Sequence, residues 1–266
     1  MIATLRQLFR AQPKRALPAV PSGERVYAVG DIHGRLDLLE ALAEGIEIDD
    51  EARGSTDTTI ILLGDLVDRG PDSAGVIAFS REWQARRPVR ILLGNHEEMF
   101  LAAFDSGEVL RQFLRFGGRE TVLSYPVDHG AYMAADMAQV RTLMRRHIPA
   151  ADLAFLRSFE DQIAIGDYLF VHAGIAPGVR FEDQATGDLR WIREPFLSHR
   201  QPHGAVVVHG HTITDDPVIR ANRIGIDTGA YASGRLTALG LEGTQRWLIE
   251  ARQDETGAIA CATTTA

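Results

Sequence analysis

From residue 25 onward, short apolar runs alternate with amphipathic stretches. "RVYAVGD" (25–31), "TTIILLGD" (58–65) and "VRILLGN" (89–95) are β-branched or aliphatic and end in Gly plus an acid or an amide. That is the texture of buried strands closed by turns. Between and after them, "RLDLLEALAEGIE" (35–47), "DSAGVIAFSREWQAR" (72–86) and "HEEMFLAAF" (96–104) carry apolar residues at helical spacing. Strand–helix alternation of this kind predicts a parallel sheet covered by helices. Residues 105–159 read as helical, most clearly in "VLRQFLRFGGRETVL" and "MAQVRTLMRRHI". Past Phe159 the pattern changes to short strands. "QIAIGDYLFVHAG" (162–174) reads as a hairpin around Gly166–Asp167, followed by "AVVVHG" (205–210), "RIGIDTG" (223–229), "RLTALGLEG" (235–243) and "QRWLIEA" (245–251).

The ends differ from this body. Residues 4–12 could form a turn or two of basic amphipathic helix with Leu5, Leu8 and Phe9 on one side, and residues 1–15 read as a weak membrane-surface or partner anchor or simply as a terminus packed loosely on the domain. "PKRALPAVPSGE" (13–24) has three prolines and a Ser-Gly and reads as an extended linker. The last stretch, "RQDETGAIACATTTA", is small and polar. The expected organisation is therefore a basic segment and linker over 1–24, a folded domain over 25–251 and a flexible tail over 252–266.

Composition narrows the function classes. A 266-residue chain that is 45% hydrophobic can bury a sizeable core. A net charge of −8 argues against a dedicated nucleic-acid binder. It leaves a small phosphate substrate open, because a bound cation supplies positive charge locally. The single cysteine, Cys261, excludes an internal disulfide and a cysteine-based zinc site. No run approaches eighteen apolar residues, and the N-terminus lacks the apolar core of a secretory signal, so a cytoplasmic location is expected.

Five predicted strands end in polar clusters: "GDIHG" (30–34), "GDLVDRG" (64–70), "GNHEE" (94–98), "VHAG" (171–174) and "VHGHT" (208–212). Ligands of open α/β sheets bind outside the carboxyl ends of the strands, so the clusters should converge. Taken singly, each has a plain reading. "DIH" could be an N-cap with a surface histidine, Asn95 could cap a helix, and "HGH" could hold one satisfied core histidine. Together they supply Asp31, His33, Asp65, Asp68, Asn95, His96, His172, His209 and His211. Carboxylate, imidazole and amide oxygen without sulfur suit manganese, iron or zinc, and the ligands suffice for two ions.

These motifs, in this order and strand context, resemble the PPP family of metal-dependent phosphoprotein phosphatases, whose signature runs GDxHG, GDxVDRG, GNHE, HAG or HGG, then a later His. "GNHEEMF", "WIRE" (191–194) and "IDTGAYASGRLTALGLEG" (226–243) resemble its short bacterial and phage lambda-type branch, and the similarity covers about residues 25–245. The resemblance implies a calcineurin-like metallophosphoesterase αββα sandwich with two mixed β-sheets. It implies one metal on Asp31, His33 and Asp65 and a second on Asp65, Asn95, His172 and His211, with Asp65 bridging. It further implies His96 as the general acid paired with Asp68, Arg69 and Arg193 as the phosphate clamp, and a metal-bridging hydroxide as nucleophile. A planar guanidinium fork matches two phosphate oxygens as a lysine cannot. Gly210-His211-Thr212-Ile213 lacks the second histidine of a Gly-His-x-His motif, which favours the PPP branch, makes His211 the ligand and leaves His209 either to support the ligands or to pack. His129, His147, His199 and His203 match no motif and default to the surface.

The implied activity is hydrolysis of serine or threonine phosphomonoesters, with two divalent ions, manganese first. Sister enzymes that hydrolyse dinucleoside polyphosphates such as diadenosine tetraphosphate typically carry Ala where Asp68 stands, so Asp68 favours the phosphatase. Metal-free scaffolds of the same fold form a third class, disfavoured because every implied ligand is present. The expected partner is a phosphorylated protein or a small phosphate ester, and residues 100–159 are the segment expected to cover the site.

Overall fold

The computed structural model describes residues 17–266, so the basic turn expected over 4–12 lies outside the described residues. Among the described residues, eleven strands form two mixed sheets. The first contains β1 (Glu24–Val29), β2 (Asp57–Leu62), β3 (Val89–Ile91), β9 (Arg235–Glu242), β10 (Gln245–Gln253) and β11 (Ile259–Thr265), ordered β11-β10-β9-β1-β2-β3. The second contains β4 (Gln162–Ile165), β5 (Tyr168–Val171), β6 (Val206–His209), β7 (Val218–Ile219) and β8 (Arg223–Gly225), ordered β4-β5-β6-β8-β7. The predicted parallel unit is β1-β2-β3, connected through α1 (Leu36–Arg53) and α2 (Ser73–Arg86). The predicted hairpin is the antiparallel β4-β5 pair, which leads into a parallel β5-β6-β8 run.

Strand alternation builds the layers. In β1, Val26 and Ala28 face the second sheet and pack with Phe170, Val206, Val208 and Ile224. Tyr27 and Val29 face the other way, against Leu38, Leu42 and Ile46 of α1. Val171 and Val207 on the far side of the second sheet meet Leu189, Ile192 and Phe196 around α9 (Thr186–Trp191). Helix, sheet, sheet, helix is the expected αββα sandwich.

Residues 107–156 are the helical insertion expected from the pattern: α4 (Gly107–Phe113), a wide turn over 114–118, α5 (Arg119–Ser124), α6 (His129–Ala134), α7 (Met137–His147) and α8 (Ala150–Leu156). Of the aromatic residues there, Phe113, Tyr125 and Tyr132 are buried, and Phe116 is exposed. The insertion is tied to the sheet by α3 (Asn95–Ala103), whose Phe100 is fully buried and stacks on Phe113 at 5.2 Å between ring centroids.

The end of the chain departs from expectation. Instead of remaining without an element, residues 259–265 pair antiparallel with β10. Polar Thr and Ala hide this strand from a hydrophobicity pattern. The outer edge of β10 offers unpaired backbone groups, and Ile259 and the Cys261 thiol, which donates to the Ala41 carbonyl at 3.0 Å, settle against α1. Replacing Phe100→Ala should cost about 3–5 kcal/mol by cavity formation. A urea unfolding midpoint that does not fall would show that the stack does not hold the insertion.

Candidate metal and phosphate site

The five polar clusters meet at one place. The structure brings together Asp31, His33, Asp65, Asp68, Asn95, His96, His172 and His211, all buried, at the carboxyl ends of β1, β2, β3, β5 and β6. Asp65 lies at the centre. Its Oδ2 faces His33 Nε2 at 3.6 Å and His96 Nε2 at 4.0 Å, and its Oδ1 faces His172 Nε2 at 3.4 Å. Asn95 Oδ1 lies 3.0 Å from His172 Nε2 and 2.8 Å from His211 Nδ1. Two metal-sized groups result, His33–Asp65–His96 and Asp65–His172–His211, sharing Asp65. Asp31 is turned toward the second sheet, where both its oxygens accept from the His211 N–H at 3.1 and 3.0 Å.

The donor chemistry fits cations. His33 and His172 donate Nδ1–H to the Val67 and Leu63 carbonyls at 2.7 and 2.8 Å, which turns each Nε2 lone pair inward. His211 Nε2 is buried without a hydrogen-bond partner. Burial pushes His33 and His211 down to about 3, reinforced at His211 by His172. At His172 burial also pulls down, but the Asp65 and Asp31 carboxylates outweigh it and lift the imidazole to about 10. Burial raises Asp31, with Asp227 adding to the push; Asp65, despite burial, is held well below the usual range by His172, His96 and His33. Carboxylates crowded out of water need positive charge, and two divalent ions would supply it.

The site is held in strained backbone. Among the described residues, the only non-glycine residues with left-handed φ are His33 (47°), Asp65 (50°), Asp68 (73°), Arg69 (69°) and His211 (61°). Side chains resist this region, so something must enforce it. The largest enforcer is Glu97, fully buried, whose carboxylate accepts from Asp65 N (2.9 Å), Leu66 N (2.7 Å), Val67 N (3.2 Å) and Gly94 N (2.9 Å). Burial and the Asp65 charge push its carboxyl up to about 7, against the pull of His172, His96 and these donors. Glu97 lies within "GNHEE" but outside the expected ligand set; an acid at the third helical position after Gly94 is the sequence signal for its role.

Asp68 and Arg69 are held from the insertion. Asp68 N donates to Ser73 Oγ (3.0 Å) and Thr121 Oγ1 (2.8 Å), and Thr121 Oγ1 donates back to Asp68 Oδ1 at 2.6 Å. Arg69 N donates to the Gly117 carbonyl at 3.0 Å. Gly117 has φ 108°, and a Cβ there would lie 2.7 Å from Arg69 N and Cγ, so "FGGRE" is a contact turn rather than a mere helix break. Asp68 Oδ2 lies 2.6 Å from His96 Nδ1, and Arg69 Nη2 lies 3.0 Å from His96 Nε2. A guanidinium only donates, so here Nε2 accepts and Nδ1 carries the proton to Asp68. Burial opposes protonation of His96, but Asp65 and Asp68 more than offset it and raise its pKa; burial raises that of Asp68.

Around this core, Arg193 is exposed and close enough to His211 to depress its protonation. Trp191, also exposed, has its ring 6.5 Å from His211, and its Nε1–H donates to Glu98 at 2.6 Å. Buried Asp227, absent from the predicted set, accepts from Gly229 N at 2.9 Å and is pushed by burial up to about 6. His209 packs away from the metal groups, against Phe196 and within 3.1 Å of Arg223. His199 and His203 stack on each other at 4.8 Å, half-buried; His129 is exposed and His147 half-buried.

The Calcineurin-like phosphoesterase family profile matches residues 24–232. This chain belongs to the calcineurin-like phosphoesterase family. As a calcineurin-like phosphoesterase it has curated relatives of two kinds. It is 29% identical over 218 residues to serine/threonine-protein phosphatase 1 of Salmonella typhimurium, covering 80% of this chain and 89% of the relative. It is 28% identical over 232 residues to the asymmetrical bis(5'-nucleosyl)-tetraphosphatase PrpE of Bacillus velezensis, covering 79% and 86%. Among solved structures, the cold-active protein-tyrosine phosphatase of a psychrophilic Shewanella superposes with a TM-score of 0.53 at 19% identity, over 94% of this chain and 88% of that one, which speaks to the fold. The family and the two-sheet fold expected from the motifs are thus borne out.

Glu97→Gln would turn an amide NH2 toward two backbone donors. Leaving one or two buried donors unmet should lower stability by about 2–4 kcal/mol and weaken manganese binding in calorimetry. An unchanged midpoint and affinity would mean that the loop keeps its shape without this carboxylate.

Proposed function

We propose that the protein is a metal-dependent phosphomonoester hydrolase acting on serine and threonine phosphates of proteins. The observation that carries this reading is the line Asp68–His96–Arg69 beside the paired metal groups: an acid, the imidazole it orients and a free cationic fork, within 2.6 and 3.0 Å of one another. Asp31, His33 and Asp65 would hold one divalent ion, and Asp65, Asn95, His172 and His211 the other. Bound there, the two ions, manganese by preference, would acidify a water for attack on phosphorus and offset phosphate charge.

The chain's own residues do the rest. Arg69 and Arg193 bind the phosphate oxygens in fork geometry. When the phosphate draws Arg69 away, His96 Nε2 is free to take up a proton from water and pass it to the leaving oxygen. Asp68 keeps the imidazole in the Nδ1–H tautomer and stabilises its protonated form. The substrate is a phosphoprotein or small phosphate ester met in the cytoplasm; among the described residues no helix is long and apolar enough to cross a membrane.

The second reading, dinucleoside polyphosphate hydrolysis, is favoured by the similarity to PrpE. Asp68, which orients His96 here, argues for the monoesterase. A metal-free scaffold does not account for so many buried, inward-facing ligand atoms.

Chelation should abolish turnover and added manganese should restore it. His96→Asn should cut kcat by about 10²–10⁴-fold while manganese content by elemental analysis stays the same; undiminished kcat would end the assignment of His96 as acid. With manganese present, a phosphoserine or phosphothreonine peptide should be hydrolysed with higher kcat/KM than diadenosine tetraphosphate. The reverse order would replace the first reading with the second.

A further inference from the structure

Arg69 is asked to present a charged fork to phosphate, yet among the described residues it forms no ion pair to hold it. A neighbouring carboxylate would fix the side chain but would also compete for its donors and cancel its charge. What lies against the guanidinium instead is an aromatic ring: Arg69 Cζ is 4.8 Å from the centroid of Tyr231. Such a contact orients a cation through the π face without supplying an anion.

Tyr231 is 37% exposed, but the backbone that carries its ring is held. Tyr231 sits in α10 (Ala230–Ser233), a single turn bounded by Gly229 and Gly234, both left-handed. The Ala230 carbonyl accepts from Arg35 Nη1 at 3.0 Å, and Ser233 Oγ donates to the Thr228 carbonyl at 2.7 Å. The Tyr231 ring also meets His33 edge to face at 5.4 Å, which ties it to the metal group on the Asp65 Oδ2 side. Arg69 is thus gripped at its backbone by Gly117 and at its head by Tyr231, from two segments more than a hundred residues apart in the chain.

We propose that Tyr231 is a positioning residue for phosphate binding: its ring holds the Arg69 guanidinium where the phosphate arrives. The role rests on the reading of Arg69 as part of the phosphate clamp. It uses the ring face and not the hydroxyl, so phenylalanine preserves it.

The test is inhibition by inorganic phosphate, with KM for a phosphoserine peptide and for an aryl phosphate, on the manganese-loaded full chain. Arg69→Ala should raise the phosphate inhibition constant by about tenfold or more. Tyr231→Ala should raise it, and both KM values alike, by about three- to tenfold, with a smaller change in kcat. Tyr231→Phe should stay within about twofold of the parent, and Tyr231→Ala should add nothing in the Arg69→Ala background. An Arg69→Ala variant with unaltered inhibition would overturn the clamp reading itself. If Arg69→Ala weakens inhibition but Tyr231→Ala does not, or if the two effects add, the positioning role falls. A rise confined to the aryl substrate also overturns it, because the ring would then touch the leaving group directly. Tyr231→Leu serves in place of the alanine variant should that one fail to fold.

Discussion

The site depends on one buried carboxylate grasping backbone. Glu97 gathers N–H groups from the end of β2 and from the turn before α3, and so bends two strand ends around a single charge. This fixes Asp65 in a conformation its side chain disfavours, with one oxygen toward each metal group. Without such a grip, the left-handed residues of the loop would relax toward ordinary turns and the carboxylate would lose its central position. The arrangement places an anion in the core, a costly choice that four donors make tolerable.

Much of this was legible in the sequence because strand ends write themselves in two alphabets at once. The apolar runs at 25–29, 58–63 and 89–93 announce burial, and the Gly-Asp or Gly-Asn that follows announces a turn carrying ligand atoms. Convergence of the five clusters followed from topology. Thr121 was not legible: it is 53 residues from Asp68, in an amphipathic stretch where a threonine has no pattern to mark it. Tyr231, within "IDTGAYASG", carries no signal pointing at Arg69, since only the packing of the sheets brings the two together. The final strand was hidden for a different reason: its pairing is set by the open edge of β10 rather than by its own side chains.

The electrostatics of the site divide along Asp65. On one side His172 is pulled strongly toward protonation by carboxylates; on the other His33 is held neutral by burial and by neighbouring cationic groups. A protein that keeps Asp31, Asp65, Glu97 and Asp227 within one buried region has organised itself around positive charge that the chain does not itself provide. The same logic explains why, among the described residues, the candidate phosphate-binding arginines Arg69 and Arg193 have no acidic partner, while Arg25, Arg87 and Arg235 elsewhere are each paired.

The dual attachment of the 64–70 loop has a consequence for how this protein could be switched off. Its first half, Asp65 to Val67, is anchored by Glu97 of α3, whereas its second half, Asp68 and Arg69, hangs from Thr121 and Gly117 in the helical insertion. Elements of a fold open locally with different free energies. A transient opening of the insertion alone would disarm the proposed proton relay and phosphate fork while the candidate metal cage stayed closed. On the proposed function, the molecule would then rest loaded but silent, recoverable by reclosing the 114–118 turn and α5 rather than by reacquiring its ions.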